Sequence, residues 1–304
     1  MLSASEQIDY KKYLNPKIIS KISSLELKAR LIVEGFLLGL HRSPYHGFSI
    51  EFSQHRQYMQ GDAFKDVDWK VFGKTDRYYV KQYEEETNLR CYILLDTSKS
   101  MSYASGENIS KLEYAKLLVA ALSYISLKQK DAVGLSLYSD VIKKNLPPKA
   151  SNNYLKEILT TLINVSPDTT TRTAFCLSKA TENIKRKGLV IVISDFFDEI
   201  ESVLKVLKQI RFMKHEVIVF QVLDPIEQNF TFDKDSVFVD LESKEEMTTQ
   251  PYQIKKAYKE AMNNFIKKIK EECVNYGIEY NLLNTSIGFD KALYAYLQKR
   301  SRLY

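Results

Sequence analysis

The chain has 304 residues, 44% of them apolar and 27% charged, and 44 Lys and Arg against 38 Asp and Glu give a formal net charge of +6. Such a length and apolar share bury a substantial core, enough for one large domain or one and a half ordinary ones, and exclude a disordered chain. The basic excess is interleaved with acids throughout, which suits solubility and argues against nucleic acid as an obligatory partner.

Cys91, Cys176 and Cys273 lie far apart with no CxxC pair, so a disulfide framework and a thiolate zinc site are both disfavoured and buried thiols are expected. His41, His46, His55 and His215 show neither HxxxH nor HExxH spacing. The N-terminus reads MLSASEQIDYKKYL, with Glu6 and Asp9 where a signal peptide needs an apolar run. Nowhere does an uncharged stretch reach the roughly 18 to 20 residues that cross a bilayer. The expectation is a cytoplasmic protein without a membrane span.

In chain order, apolar residues from Pro16 to Leu40 recur at three- and four-residue steps, the pattern of one amphipathic helix that covers another layer. After Pro44 the rhythm changes to short aromatic and β-branched runs, Phe48 to Phe52 and Tyr78 to Tyr83, separated by the turn pairs Gly61-Asp62 and Gly73-Lys74. Residues 1–87 thus read as an N-terminal helix with a small β-rich subdomain.

From Leu89 onward, near-continuous apolar runs (Leu89 to Leu95, Ala132 to Tyr138, Leu189 to Ile193, Val217 to Leu223, Ile278 to Leu283) alternate with helical patterns. The helices are placed at about Lys111 to Leu127, Asn153 to Ile163, Thr173 to Lys185 and Ile200 to Met213. This predicts an α/β fold, a doubly wound, mostly parallel sheet covered on both faces, over residues 88–304. A β-hairpin insertion is expected at about 225–250, before a long helix from Tyr252 to Tyr276 whose lysines form a solvated face.

Two of the buried strands end in a carboxylate. The first reads Cys91 to Leu95, then Asp96-Thr-Ser98-Lys-Ser100; the second reads Val190 to Ile193, then Ser194-Asp195. Ligands of open α/β sheets sit beyond the carboxyl ends of the strands, so these oxygens fall at a site. Two carboxylates converging in a partly dry cleft repel unless a cation neutralises them. With only hard oxygens on offer, Mg²⁺ is the first choice, with Mn²⁺ or Ca²⁺ as alternatives. Taken alone, the acid-hydroxyl string also fits a cap for the helix starting near Lys111.

The DxSxS string after an apolar strand, a threonine loop before a helix, and a later strand ending in Asp together resemble the metal-ion-dependent adhesion site of von Willebrand factor A domains. The resemblance implies that Asp96, Ser98, Ser100, Thr171 and Asp195 hold the cation, the hydroxyls directly and the two acids largely through water. A position is then left for an Asp or Glu of a partner protein. The loop Asp168 to Thr173 offers four threonines, and aligning Leu177 with the family's helix leucine selects Thr171. Two departures stand out: Thr169 and Thr170 replace the family's glycines, and Phe196 follows Asp195 where many members have Gly.

A second resemblance spans nearly the whole chain. His41-Arg-Ser-Pro44, His46-Gly-Phe48, His55 to Asp62, Asp68-Trp69-Lys70 and Val80 to Thr87 look like the bacterial domain-of-unknown-function family DUF58. Its members often accompany MoxR-type AAA+ ATPases, which implies an adaptor or co-chaperone role. Trp69 reads more readily as packed against its own sheet than as presented to a partner.

Two rivals are weighed against an interaction module. A metal-dependent hydrolase or phosphatase would use Asp96 as nucleophile, but it needs a second acid two residues on, where Ser98 stands. Gly73-Lys74-Thr75 lacks the Gly five residues earlier that a phosphate-binding loop requires, since Asp68 is there. A nucleic-acid module would use the 20 tyrosines and the basic run Lys74 to Lys81, yet Asp76 and the following glutamates dilute that patch. A non-enzymatic, protein-binding reading follows.

Overall fold

The computed structural model describes residues 15–41, 55–57, 73, 78–81, 89–168, 171–184, 186–231, 236–239, 246–249 and 251–303. Most of the strings that resemble DUF58, Trp69, and the segments Phe48 to Phe52 and Glu84 to Glu86 lie outside these residues.

Six strands form the main sheet: β3 (Arg90–Asp96), β4 (Ala132–Tyr138), β5 (Ile142–Lys149), β6 (Leu189–Ser194), β7 (Glu216–Leu223) and β10 (Glu279–Asn284). Their spatial order is β10-β7-β6-β3-β4-β5, all parallel except β5, which runs antiparallel to β4 at the edge. This is the doubly wound α/β architecture that the apolar runs predicted. Within β3 the side chains alternate between two cores, Cys91, Ile93 and Leu95 toward one and Tyr92 and Leu94 toward the other. Both faces are covered, which is why the strand reads as a continuous apolar run.

Sequence periodicity did not anticipate β5. Only Leu146 is buried along it, and Pro147 and Pro148 sit within it. Proline removes a ladder donor and is tolerated at an edge, where it also blunts pairing with a second sheet.

The helix α3 (Lys111–Lys128) is buried around almost its whole circumference. A helix apolar on all sides needs a second layer over its outer face. That layer is supplied by α2 (Leu25–His41), whose Ala29, Ile32, Val33 and Phe36 join the same core as β3 and α3. The single helix expected from Pro16 to Leu40 is instead two, α1 (Pro16–Ser20), which ends with Lys21 as its C-cap, and α2, which Ser24 caps by accepting from the Leu27 amide at 3.3 Å.

On the opposite face lie α5 (Thr173–Glu182), α6 (Ile200–Phe212) and the long α8 (Pro251–Asn275), while α4 (Asn152–Ile163) and α9 (Asp290–Ser301) pack on the α3 side. Between β7 and α8 come the short α7 (Pro225–Asn229) and the expected hairpin, β8 (Ser236–Val239) antiparallel to β9 (Glu246–Thr249). From the N-terminal β-rich region, β1 (His55–Gln57) pairs antiparallel with β2 (Tyr79–Lys81). All three cysteines are free and buried. Among the described residues no helix is long and apolar enough to cross a membrane.

Lys214 ends α6 in the left-handed region, with φ 66°, a position that favours glycine because an L side chain crowds the backbone there. Lys214→Gly is expected to raise stability by about 0.5–1 kcal/mol, read as a higher urea midpoint at unchanged slope.

Candidate functional site

Asp96 and Asp195 emerge from the carboxyl ends of β3 and of the residue following β6, two neighbouring parallel strands. Both are buried, at 0% and 1% exposure. The turn after β3 is built by the Asp96 carboxylate itself, whose Oδ1 accepts from the Ser98 amide at 2.8 Å, while Oδ2 accepts from the Ser194 hydroxyl at 2.7 Å. The chain then enters a short 3₁₀ turn, Ser100–Ser102. This sets the Ser98 and Ser100 hydroxyls 3.0 Å apart, Ser98 buried and Ser100 half-buried.

The helix-cap alternative for this string fails: Ser110 caps α3, accepting from the Glu113 amide at 3.1 Å. Asp96, Ser98 and Ser100 instead hydrogen-bond among themselves and to Ser194.

The threonine loop is pinned to the same edge at both ends. The Asp168 amide donates to the Thr97 carbonyl at 2.9 Å, and the Arg172 amide to the Ser139 carbonyl, beyond β4, at 3.0 Å. Thr171 is half-buried between these anchors. Thr173 opens α5, its amide held by Asp198 Oδ2 at 2.7 Å, which joins the threonine loop to the loop after Asp195. Its hydroxyl is buried without a hydrogen-bond partner among the described residues.

Phe196 occupies the left-handed region, with φ 62°, and is completely buried. The departure from glycine noted after Asp195 is therefore a real backbone cost, of about 1–2 kcal/mol, offset by burial of the ring in the second core. Left-handed non-glycine residues of this kind cluster at functional sites.

Electrostatically the cleft is unbalanced. Burial, and then the charge of Asp195, push the Asp96 carboxyl up to about 7 despite its hydrogen bonds from Ser194 and Ser98. Burial and the Asp96 carboxylate also hold the Tyr138 phenol well above its ordinary range. Beneath the site lies a group that the sequence reading missed. Lys111, the first residue of α3, is fully buried, and its Nζ donates to Asp195 Oδ2 at 2.8 Å and to Glu227 Oε1 at 2.6 Å. Burial opposes its charge, but Asp195 and Glu227 outweigh that and raise the ammonium above its usual value.

Glu227 in turn belongs to a capping box on α7: its Oε2 accepts from the Asp224 amide at 2.9 Å, and Asp224 accepts from Ile226 and, through Oδ2, from the Ser105 amide at 3.0 Å. The Asp224-Pro225-Ile-Glu227 string carries the capping signature, a signal available in the sequence. Nothing in the sequence pattern points Lys111 inward.

Among the described residues no cluster of three or more His, Cys, Asp and Glu side chains is placed to hold a metal. An ion here has to be held by two acids with hydroxyls. The donor set is compatible with one: the two serine hydroxyls, hydrogen-bonded to each other at 3.0 Å, have the spacing of about 2.9 Å of cis oxygens on an octahedral ion with bonds of about 2.0–2.1 Å. The Thr173 hydroxyl, buried without a partner among the described residues, leaves polar capacity near this edge unsatisfied.

The strand order and the antiparallel edge strand give a doubly wound α/β domain, the fold that the resemblance to von Willebrand factor A domains implies. The chain belongs to the family described as Protein of unknown function DUF58, which matches residues 54–267. It is similar to the uncharacterized protein Rv1480 of Mycobacterium tuberculosis, with 24% identity over 233 residues, covering 75% of this chain and 72% of that protein. Among solved structures it is similar to the conserved hypothetical protein BatB from Bacteroides thetaiotaomicron, with 20% identity, TM-score 0.49, and coverage of 70% of this chain and 98% of that one. An aerotolerance-related membrane protein from Bacteroides fragilis has 19% identity and TM-score 0.48, over 69% of this chain and 99% of that one.

Proposed function

We propose that this protein is a non-enzymatic, cytoplasmic interaction module that binds a divalent cation, Mg²⁺ first, through Asp96, Ser98, Ser100, Thr171 and Asp195, and uses it to grip an Asp or Glu of a partner protein. The observation that carries this reading is the pair of serine hydroxyls 3.0 Å apart beside two buried carboxylates. When bound, the cation supplies a focused positive charge that neither serine nor threonine can provide. The protein's own part is to hold the oxygens: the β3 turn fixes the hydroxyls, Ser194 fixes Asp96, and the backbone bonds to Thr97 and Ser139 anchor Asp168 and Arg172 on either side of Thr171.

A buried floor of Asp96, Ser98 and Asp195 under a half-buried rim of Ser100 and Thr171 supports capture of a side chain from outside. Phe197, 38% exposed beside Asp195, offers an aromatic anchor of the type enriched at the centres of interfaces. Against phosphatase chemistry, the position that would need a general acid holds Ser98. The partner is assigned from the family resemblance: a MoxR-type AAA+ ATPase or a client presented to it, with this protein as adaptor or co-chaperone.

The test is binding of Mn²⁺, and of a purified MoxR-type ATPase from the same organism, by wild type and by the Asp96→Ala/Ser98→Ala double variant, each with and without EDTA. The expected result is at least a hundredfold loss of Mn²⁺ affinity in the variant, and ATPase retention by wild type only with the ion present. Equal retention in all four arms would move the interaction to another surface.

A further inference from the structure

Lys111 is a group at this edge whose burial is expensive and whose purpose the ligand set leaves unexplained. Burying an ammonium costs several kcal/mol before any pairing, and an apolar side chain at the first position of α3 would be cheaper to bury. Its side chain has 0% exposure, it lies 2.8 Å from Asp195 Oδ2 and 2.6 Å from Glu227 Oε1, and the Phe197 ring covers it with the centroid 4.7 Å from Nζ.

The consequence falls on Asp195. Its Oδ2 is taken by Lys111 and its Oδ1 accepts from the Phe197 amide at 3.2 Å, so both oxygens are engaged inside the protein. Asp96, by contrast, is engaged only by neutral donors, the Ser98 amide and the Ser194 hydroxyl.

We infer that Lys111 is a specificity-determining positioning residue: its ammonium holds Asp195 back from direct ligation, so that the cation keeps both an open position and uncompensated charge for the partner's carboxylate. This inference rests on the cation-dependent reading above. A carboxylate already bridged by an ammonium is a poorer ligand for a dication, because it must be drawn away from one positive charge to serve another. Lys111 thereby weakens the site for the bare ion and strengthens the ion's demand for an outside acid. Through Glu227 the same ammonium ties this setting to the capping box of α7.

The test uses the full chain with Mn²⁺ alone as the probe. Lys111→Met leaves Glu227 and Asp195 without their counter-charge and is at risk of misfolding, so Lys111→Met/Glu227→Gln is made beside it, and circular dichroism checks both folds. Mn²⁺ affinity is read by electron paramagnetic resonance, and the number of ion-bound waters by water-proton relaxation.

With Lys111 removed, Asp195 is expected to ligate directly: at least tenfold tighter Mn²⁺ binding in the double variant, with one fewer exchangeable water on the ion. A role confined to supporting the fold would leave the water count unchanged and would lower affinity. Affinity and water count equal to wild type in a folded double variant would overturn the inference, with cation binding by wild type left standing. Absence of Mn²⁺ binding in wild type would overturn the cation-dependent reading itself, and this inference with it.

Discussion

Asp96→Asn is expected to stabilise the metal-free protein while removing its ability to hold a cation. The folded-state carboxyl of Asp96 sits at about 7 against an ordinary 3.8, because it is buried and faces Asp195. A carboxyl raised on folding makes its full contribution to stability below the unfolded value and loses it as pH climbs through the folded one. For wild type in EDTA, stability should therefore fall between about pH 4 and pH 7. Asparagine removes the charge but keeps the geometry, since its oxygen can accept from the Ser98 amide and its amide can donate to the Ser194 hydroxyl, the two partners Asp96 has now.

A shift of this size converts to about 4 kcal/mol as an upper bound, and relaxation of the cleft reduces it, so a gain of about 2–4 kcal/mol at pH 8 is expected, shrinking toward zero at pH 4. Urea denaturation in EDTA at the two pH values measures it. Mn²⁺ affinity should drop at least a hundredfold in the same variant. This opposition between stability and binding is what a site built for a cation has to display, and a merely structural acid would lose stability on substitution. Were wild type in EDTA as stable as the variant at pH 8, Lys111 would already be neutralising the cleft.

The parallel sheet was legible in the sequence because strands buried on both faces carry few polar residues to blur their limits, Ser136 and Gln221 being buried exceptions. The run Ala132 to Tyr138 coincides with β4, and Leu189 to Ile193 falls one residue short of β6. The edge strand β5 was illegible for the converse reason, as its lysines and prolines carry no period. The last helix, α9, was missed as well, although its Ala292, Leu293, Ala295, Tyr296 and Leu297 are buried. Asp96, Ser98, Ser100 and Asp195 stand out in the sequence because a carboxylate ending an apolar strand is unusual in itself, and the structure sets them at one edge of the sheet. Lys111 escaped because a lysine near a helix start reads as solvent-exposed, and only the fold reveals two acids waiting for it. Phe196 was noted as a departure from glycine, but its left-handed backbone is a property of the turn and not of the residue.

Arg300→Ala should produce the largest loss of stability and leave the candidate site intact. Asp131, between α3 and β4, is wholly buried, and Arg300 near the end of α9 approaches it as a fork, Nε to Oδ2 at 2.6 Å and Nη2 to Oδ1 at 3.3 Å. Breaking a buried pair by removing one partner costs about 3–5 kcal/mol, because the remaining charge stays in the interior. Asp131→Asn/Arg300→Ala should recover part of this, and Arg300→Lys should recover less than its charge suggests, since lysine cannot form the fork. The same end of α3 is tied to α9 by the Ser126–Tyr296 hydroxyl contact at 2.7 Å. Lys111 lies at the opposite end of this 18-residue helix, about 27 Å away at 1.5 Å per residue. Mn²⁺ affinity in folded Arg300→Ala is therefore expected to match wild type even as the urea midpoint falls. Loss of both together would mean that α3 transmits strain along its length from the C-terminal clamp to the ammonium beneath Asp195.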